Sequence, residues 1–149
     1  MNLTDDLYQD IILGHYRSKK FKRRLETPPA LAYEGTNPSC GDEVEIFIEV
    51  DNTQTIKEIT YEGAGCSICI ASANMLCDAL TGRSLEDAKI LFDSMRQMLV
   101  NGEEVEFPDY AGDLQALEGV KKFPVRIKCA LLAWSTLNTI LSEHLPSKS

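Results

Sequence analysis

With 149 residues, 44% of them hydrophobic and 26% charged, the chain has the size and balance of one soluble domain that buries roughly two thirds of its unfolded surface. Fifteen basic against 23 acidic residues give a net charge of −8, which disfavours a nonspecific hold on nucleic acid, and no apolar run approaches the roughly 20 residues a membrane span requires. Asp5 and Asp6 stand where a secretory leader would need a basic and then an apolar region, so a cytoplasmic protein is expected, in which five cysteines suit metal binding or thiol chemistry better than disulfides.

Thr4 is positioned to cap a first helix, with Asp5 and Asp6 at its positive end and Lys19 and Lys20 near its negative end. Leu7, Ile11 and Gly14 with Tyr8, Ile12 and His15 give it an apolar side. It should stop before Thr27-Pro28-Pro29, an irregular connection. Arg17, Lys19, Lys20, Lys22, Arg23 and Arg24 crowd into one short stretch, which reads first as a solvated helix end and loop. A docking patch for an acidic partner protein is the alternative; no aromatic platform for bases accompanies it.

A strand is expected around Leu31 to Thr36, before the first cysteine. From Glu43 to Val50 the apolar period becomes two, with Val44, Ile46, Ile48 and Val50 alternating, as in a strand with one wet face. Asp51, Asn52 and Thr53 supply a turn. Gln54 to Glu62 has the composition of a second strand, but Ile56 and Ile59 break its parity, and a bulge or a late start would absorb the slip.

After Gly63-Ala64-Gly65 the chain turns helical through Ile68, Ile70, Ala71, Ala73, Met75, Leu76, Ala79 and Leu80, and Gly82 stops it. Ser84 and Asp87 form a capping-box-like start for a helix through Leu85, Ala88, Leu91, Phe92, Met95 and Leu99 that Asn101-Gly102 ends. Glu103 to Lys122 is acidic and looser, with a short helix near Leu114 to Leu117. Pro124 opens a last long helix whose inward stripe is Ile127, Ala130, Leu131, Trp134, Leu137, Asn138 and Leu141, with a frayed tail from Pro146. The order is helix, small antiparallel sheet, then helices: an α+β fold in one domain spanning 1–149, not a doubly wound nucleotide-binding fold.

Three of the cysteines sit where chemistry is plausible. In Asn37-Pro38-Ser39-Cys40-Gly41-Asp42, Pro38 restrains the backbone and Gly41 relieves it, so Cys40 belongs at a turn tip with Asp42 aimed at the same point. Gly63-Ala64-Gly65-Cys66 puts a thiol at a strand-to-helix junction, where helix amides favour thiolate. Cys129 lies near the start of the last helix, where the same dipole argument and adjacent Lys128 apply. Three thiolates and a carboxylate suit tetrahedral zinc, although dispersed ligands prove nothing by spacing. Cys66-Ser67-Ile68-Cys69 is also a CxxC, open to a redox dithiol or half a zinc knuckle, but it lacks a second CxxC and a βαβ context, which leaves Cys69 a packed or partly exposed thiol. Cys77 reads as core filling. His15 and His144 show no ligand partner and read as surface or packing residues, and no hydrolase triad or phosphate loop is present.

NPSCGD at 37–42, GAGCSIC at 63–69 followed by IASAN, and RIKCALLAW at 126–134 together resemble the SufU branch of the IscU-like iron–sulfur assembly proteins, the family that also includes NifU N-terminal domains. That resemblance implies the family fold, metal ligands at Cys40, Asp42, Cys66 and Cys129, and zinc as the ion. It implies a sulfurtransferase-like accessory protein that receives persulfide sulfur at Cys40 from a SufS-type cysteine desulfurase and serves downstream Suf assembly proteins. Lys128 replaces the histidine normally found before the third cysteine of scaffold-type relatives, the segment between Cys66 and Cys129 is longer, and no LPPVK chaperone motif is evident. These departures favour the sulfur acceptor over a chaperone-coupled scaffold; a scaffold for a transient [2Fe–2S] cluster and a structural zinc protein that only binds a partner are the alternatives.

Overall fold

The computed structural model describes the backbone of residues 3–144 and side chains from Asp6 to His144, so the expected Thr4 cap and the tail from Pro146 lie outside the described residues. Its elements run α1 (Leu3–Arg17), β1 (Leu31–Asn37), β2 (Asp42–Val50), β3 (Ile56–Ala64), α2 (Ser67–Leu80), α3 (Leu85–Leu99) and α4 (Pro124–His144), with 3-10 segments at Asp109–Ala111 and Leu114–Lys122 before α4. The strands form one antiparallel sheet in the order β1-β2-β3. α2 and α4 pack on it, flanked by α1 and α3. This is the expected α+β architecture, and no described helix is long and apolar enough to cross a membrane.

Alternation along β2 decides which face meets the helices. Ile46 pairs with Tyr61 and Ile48 with Ile59, and all four side chains are buried in the main core. The parity slip in β3 is a bulge: Glu49 pairs with Glu58 but Val50 with Ile56, leaving Lys57 as the extra residue, so Ile56 and Ile59 both point inward. Asp51 Oδ1 accepts from the amides of Thr53 at 2.8 Å and Thr55 at 3.1 Å, which fixes the preceding turn.

The other face is not simply wet. Phe47 and Thr60, opposite each other in register, are buried outside the main core. The basic stretch after α1 runs along the free edge of β3, where Phe21 O accepts from Tyr61 N at 3.0 Å, and its arginines reach this face: Arg23 pairs with Glu58 at 2.8 Å and Arg24 with Glu45 at 3.0 Å. The Arg24 guanidinium stands 4.8 Å over the Phe47 ring. Two of the six clustered cations are therefore engaged by the protein's own sheet.

In α4 the predicted Ala130, Trp134, Leu137 and Leu141 are buried and Leu132, Ala133, Thr136 and Ile140 join them, while the predicted Ile127, Leu131 and Asn138 are only half-buried, because the helix touches β1 and β2 as well as α2 and α3. Trp134 Nε1 donates to Ser72 Oγ at 3.1 Å and Ser72 donates to Ala130 O at 2.6 Å, satisfying polar groups where α2 and α4 cross. His15 has partners the sequence hid: Asp113 at 2.9 Å and Asn74 at 2.8 Å, which tie α1 to α2 and to the acidic connection. The Ser84 cap forms as expected, accepting from Asp87 N at 3.0 Å.

Candidate metal centre

The β1–β2 hairpin builds one wall of the site. Asn37 and Asp42 pair at its end, and the tip is closed by Cys40 N donating to Asn37 O at 3.2 Å and Gly41 N to Pro38 O at 3.4 Å. Gly41 takes a φ of +70°, a conformation glycine adopts without strain. The tip leaves Cys40 half-buried, while Asp42 falls on the inward parity of β2 and is only 1% exposed.

The β3–α2 junction forms the second wall. Cys66 has an extended backbone and sits at the N-cap of α2, where its amide donates to Asp42 Oδ1 at 2.9 Å. A Cβ at Gly65 would stand 2.6 Å from that oxygen and 3.1 Å from the carboxyl carbon. The glycine therefore leaves room for the Asp42 carboxylate. A buried carboxylate held by a backbone amide is satisfied on one oxygen and free to present the other. That other oxygen, Oδ2, lies 4.0 Å from Cys66 Sγ.

Cys129 closes the site from α4. Its Sγ, one Asp42 oxygen and Cys40 Sγ all lie within 4.8 Å of one another, so the hairpin tip and α4, some 90 residues apart in the chain, meet. Cys66 stands just outside that triplet, against Asp42. Cys129 is the sixth residue of α4 and fully buried, with Sγ 3.7 Å from Val125 O. Its thiol pKa is pushed up, first by burial and then by hydrogen bonding with Asp42, Cys40 and Cys66. The expected lowering by the helix dipole is thus overturned, because that influence fades beyond the first turn and desolvation beside anionic neighbours wins. Lys128 is exposed.

This donor set fits zinc. Zinc–sulfur bonds of about 2.3 Å imply ligand-to-ligand edges near 3.8 Å in a tetrahedron, so the triplet would need only a small contraction, and Cys66, outside it at the adjoining helix cap, would be the nearest further sulfur to Asp42. A divalent ion would also answer the electrostatic problem seen at Cys129, since four clustered acids otherwise repel one another's charged forms.

The two remaining thiols do not join this group. Cys69 is buried one turn into α2, its pKa pushed up to about 12 by burial and by Asp42, Cys66 and Cys40. Cys77 is wholly buried in the core, and desolvation drives its thiol strongly toward the protonated form. All five cysteines are free. Asn37, which the sequence reading quoted without a role, is buried with Nδ2 3.9 Å from Cys129 Sγ.

Residues 7–130 match the model of the NifU-like N terminal domain family. The zinc-dependent sulfurtransferase SufU of Bacillus subtilis (strain 168) is 37% identical over 89% of this chain and 88% of its own length. The iron–sulfur cluster assembly scaffold protein IscU of Streptococcus pyogenes serotype M1 is 36% identical over all of this chain and 94% of its own. The crystal structure of the putative iron–sulfur cluster assembly scaffold protein for the SUF system (FiSufU) from thermophilic Fervidobacterium islandicum AW-1 superposes with a TM-score of 0.81 at 32% identity, covering 89% of this chain and 94% of that one.

Proposed function

The chain belongs to the NifU-like N-terminal domain family, and from that premise we propose that it serves iron–sulfur cluster assembly as a zinc-dependent sulfur acceptor, working with a SufS-type cysteine desulfurase. The observation that carries this reading is the placement of Cys40, a half-exposed thiol on a hairpin tip with two buried donors, Asp42 and Cys129, directly behind it. The similarity to a zinc-dependent sulfurtransferase supports the same choice.

Cys40, Asp42, Cys66 and Cys129 would hold the zinc, which when bound keeps the sulfurs deprotonated and offsets their charge. The Cys40 thiolate attacks the outer sulfur of a persulfide on the desulfurase. The bond between the two persulfide sulfurs breaks, a new sulfur–sulfur bond forms at Cys40, and the desulfurase cysteine leaves as a thiolate. Asp42 stays anchored by the Cys66 amide, so the site keeps its shape while the hairpin tip moves. The sulfur then passes from Cys40 to downstream Suf assembly proteins in the same cytoplasmic compartment.

The test is incubation with the desulfurase and cysteine, followed by mass analysis of intact protein and peptides. One added sulfur on Cys40, reduced about a hundredfold or more in Cys40→Ser, is the expected result. Normal acceptance by a folded Cys40→Ser protein overturns the assignment. A second reading, a scaffold on which a transient [2Fe–2S] cluster is built as cargo, draws on the similarity to IscU scaffold proteins and on thiolates suiting iron as well as zinc. Anaerobic reconstitution that yields a stable, transferable cluster chromophore, without desulfurase stimulation by the zinc form, would decide for it.

A further inference from the structure

Asn37 links the hairpin tip that carries Cys40 to Cys129 on α4. Its backbone carbonyl accepts from the Cys40 amide at 3.2 Å, and its side-chain Nδ2 reaches Cys129 Sγ at 3.9 Å, across 92 residues of chain. At 8% exposure it is a buried polar side chain at the end of a strand, where an amide needs a partner to offset its desolvation. Among the described residues it is the only nitrogen donor within hydrogen-bond reach of that sulfur. As a thiol, Cys129 gives its own proton to Val125 O at 3.7 Å. As a thiolate it has no proton to give, and the amide is then the group that faces its lone pairs.

Four anionic donors around a divalent ion leave the site with surplus negative charge. An amide aimed at one sulfur drains electron density from it without adding a ligand or a titrating group, the way outer hydrogen bonds tune metal–sulfur sites. We infer that Asn37 is a positioning residue of the metal centre: its side-chain amide donates to the Cys129 thiolate, orients that sulfur and lowers its donor strength. This rests on the metal-centre reading and extends it to a residue that is not itself a ligand.

Cobalt(II) loaded in place of zinc makes the sulfur electronics visible. Wild type, Asn37→Ala and Asn37→Asp would be compared for the energy of the thiolate-to-cobalt charge-transfer band and for affinity by chelator competition, with thermal melts of the metal-free proteins as the folding control. The expected result is a band moved to lower energy in each variant that folds, with affinity reduced roughly ten- to a hundredfold, more for Asn37→Asp, whose carboxylate repels the sulfur. A residue with only a structural role would not move the band of fully loaded protein. An unmoved band of the fully loaded protein in either variant that folds overturns the inference, whatever the change in affinity. Wild type that takes up cobalt with no thiolate band at all removes the metal centre itself, and the inference with it, which is a separate and recognisable failure.

Discussion

Cys66 and Cys69 belong to the same short CxxC, yet one opens α2 at the rim of a polar site and the other is buried in the helical core. At the rim, a hairpin tip, a helix cap and the first turns of α4 bring thiols beside a carboxylate that a backbone amide holds in place. In the core, Cys69 and Cys77 pack among apolar side chains, and burial keeps their protons on. Thiols of one helix thus differ in chemistry because of where the helix ends, not because of their spacing.

The contrast breaks most directly at Gly65. Gly65→Ala sets a methyl group 2.6 Å from Asp42 Oδ1, so the carboxylate must leave the Cys66 amide. Metal affinity, measured by chelator competition, should fall roughly ten- to a hundredfold while the core thiols stay shielded from alkylation.

A smaller effect should appear in pH dependence. Burial raises the folded pKa of Cys69 from 9.0 to about 12. Below 9.0 the thiol is protonated in both states and its contribution to stability is complete. As pH rises from there, the unfolded chain releases the proton first, so stability declines until the folded pKa is passed. Denaturant unfolding of the metal-free proteins should show a smaller loss between pH 9.0 and about 12 in Cys69→Ala than in wild type, a difference on the order of 2 kcal/mol after allowing for residual solvent access, the remaining loss belonging to the other buried thiols, Cys77 and Cys129. The smallest change expected is at Cys77→Ala, about 1 kcal/mol of lost stability from a small cavity, with metal uptake untouched; a drop in metal affinity there would erase the distinction between rim and core.

Much of this was legible in the sequence because local signals and tertiary demands agreed. The Ser84 cap and the β2 alternation all survive folding, and the slip at Ile56 and Ile59 announced the bulge that β3 contains. What stayed hidden depended on packing between distant segments. Phe47 is covered by a loop whose arginines pair with sheet carboxylates, which no period within β2 can reveal. The pattern of α4 burial follows from its touching β1 and β2 as well as α2 and α3. In the site, the residue types of Cys40, Asp42, Cys66 and Cys129 suggested a metal and the family resemblance grouped them. The reason for Gly65 and the contact of Asn37 appear only once Asp42 and Cys129 are in place. Cys129 misled because its position near a helix start outweighed, on paper, a burial that only the assembled core imposes.

The central claim is that the hairpin tip, the α2 cap and α4 grip a single ion. X-ray absorption on the reduced, zinc-loaded protein, with stoichiometry from native mass spectrometry, tests it most directly. One zinc per chain, with sulfur neighbours at about 2.3 Å and an oxygen neighbour near 2.0–2.2 Å, is the result the geometry calls for. Reduced, folded protein that takes up no zinc, or binds it through nitrogen and oxygen alone, would contradict it.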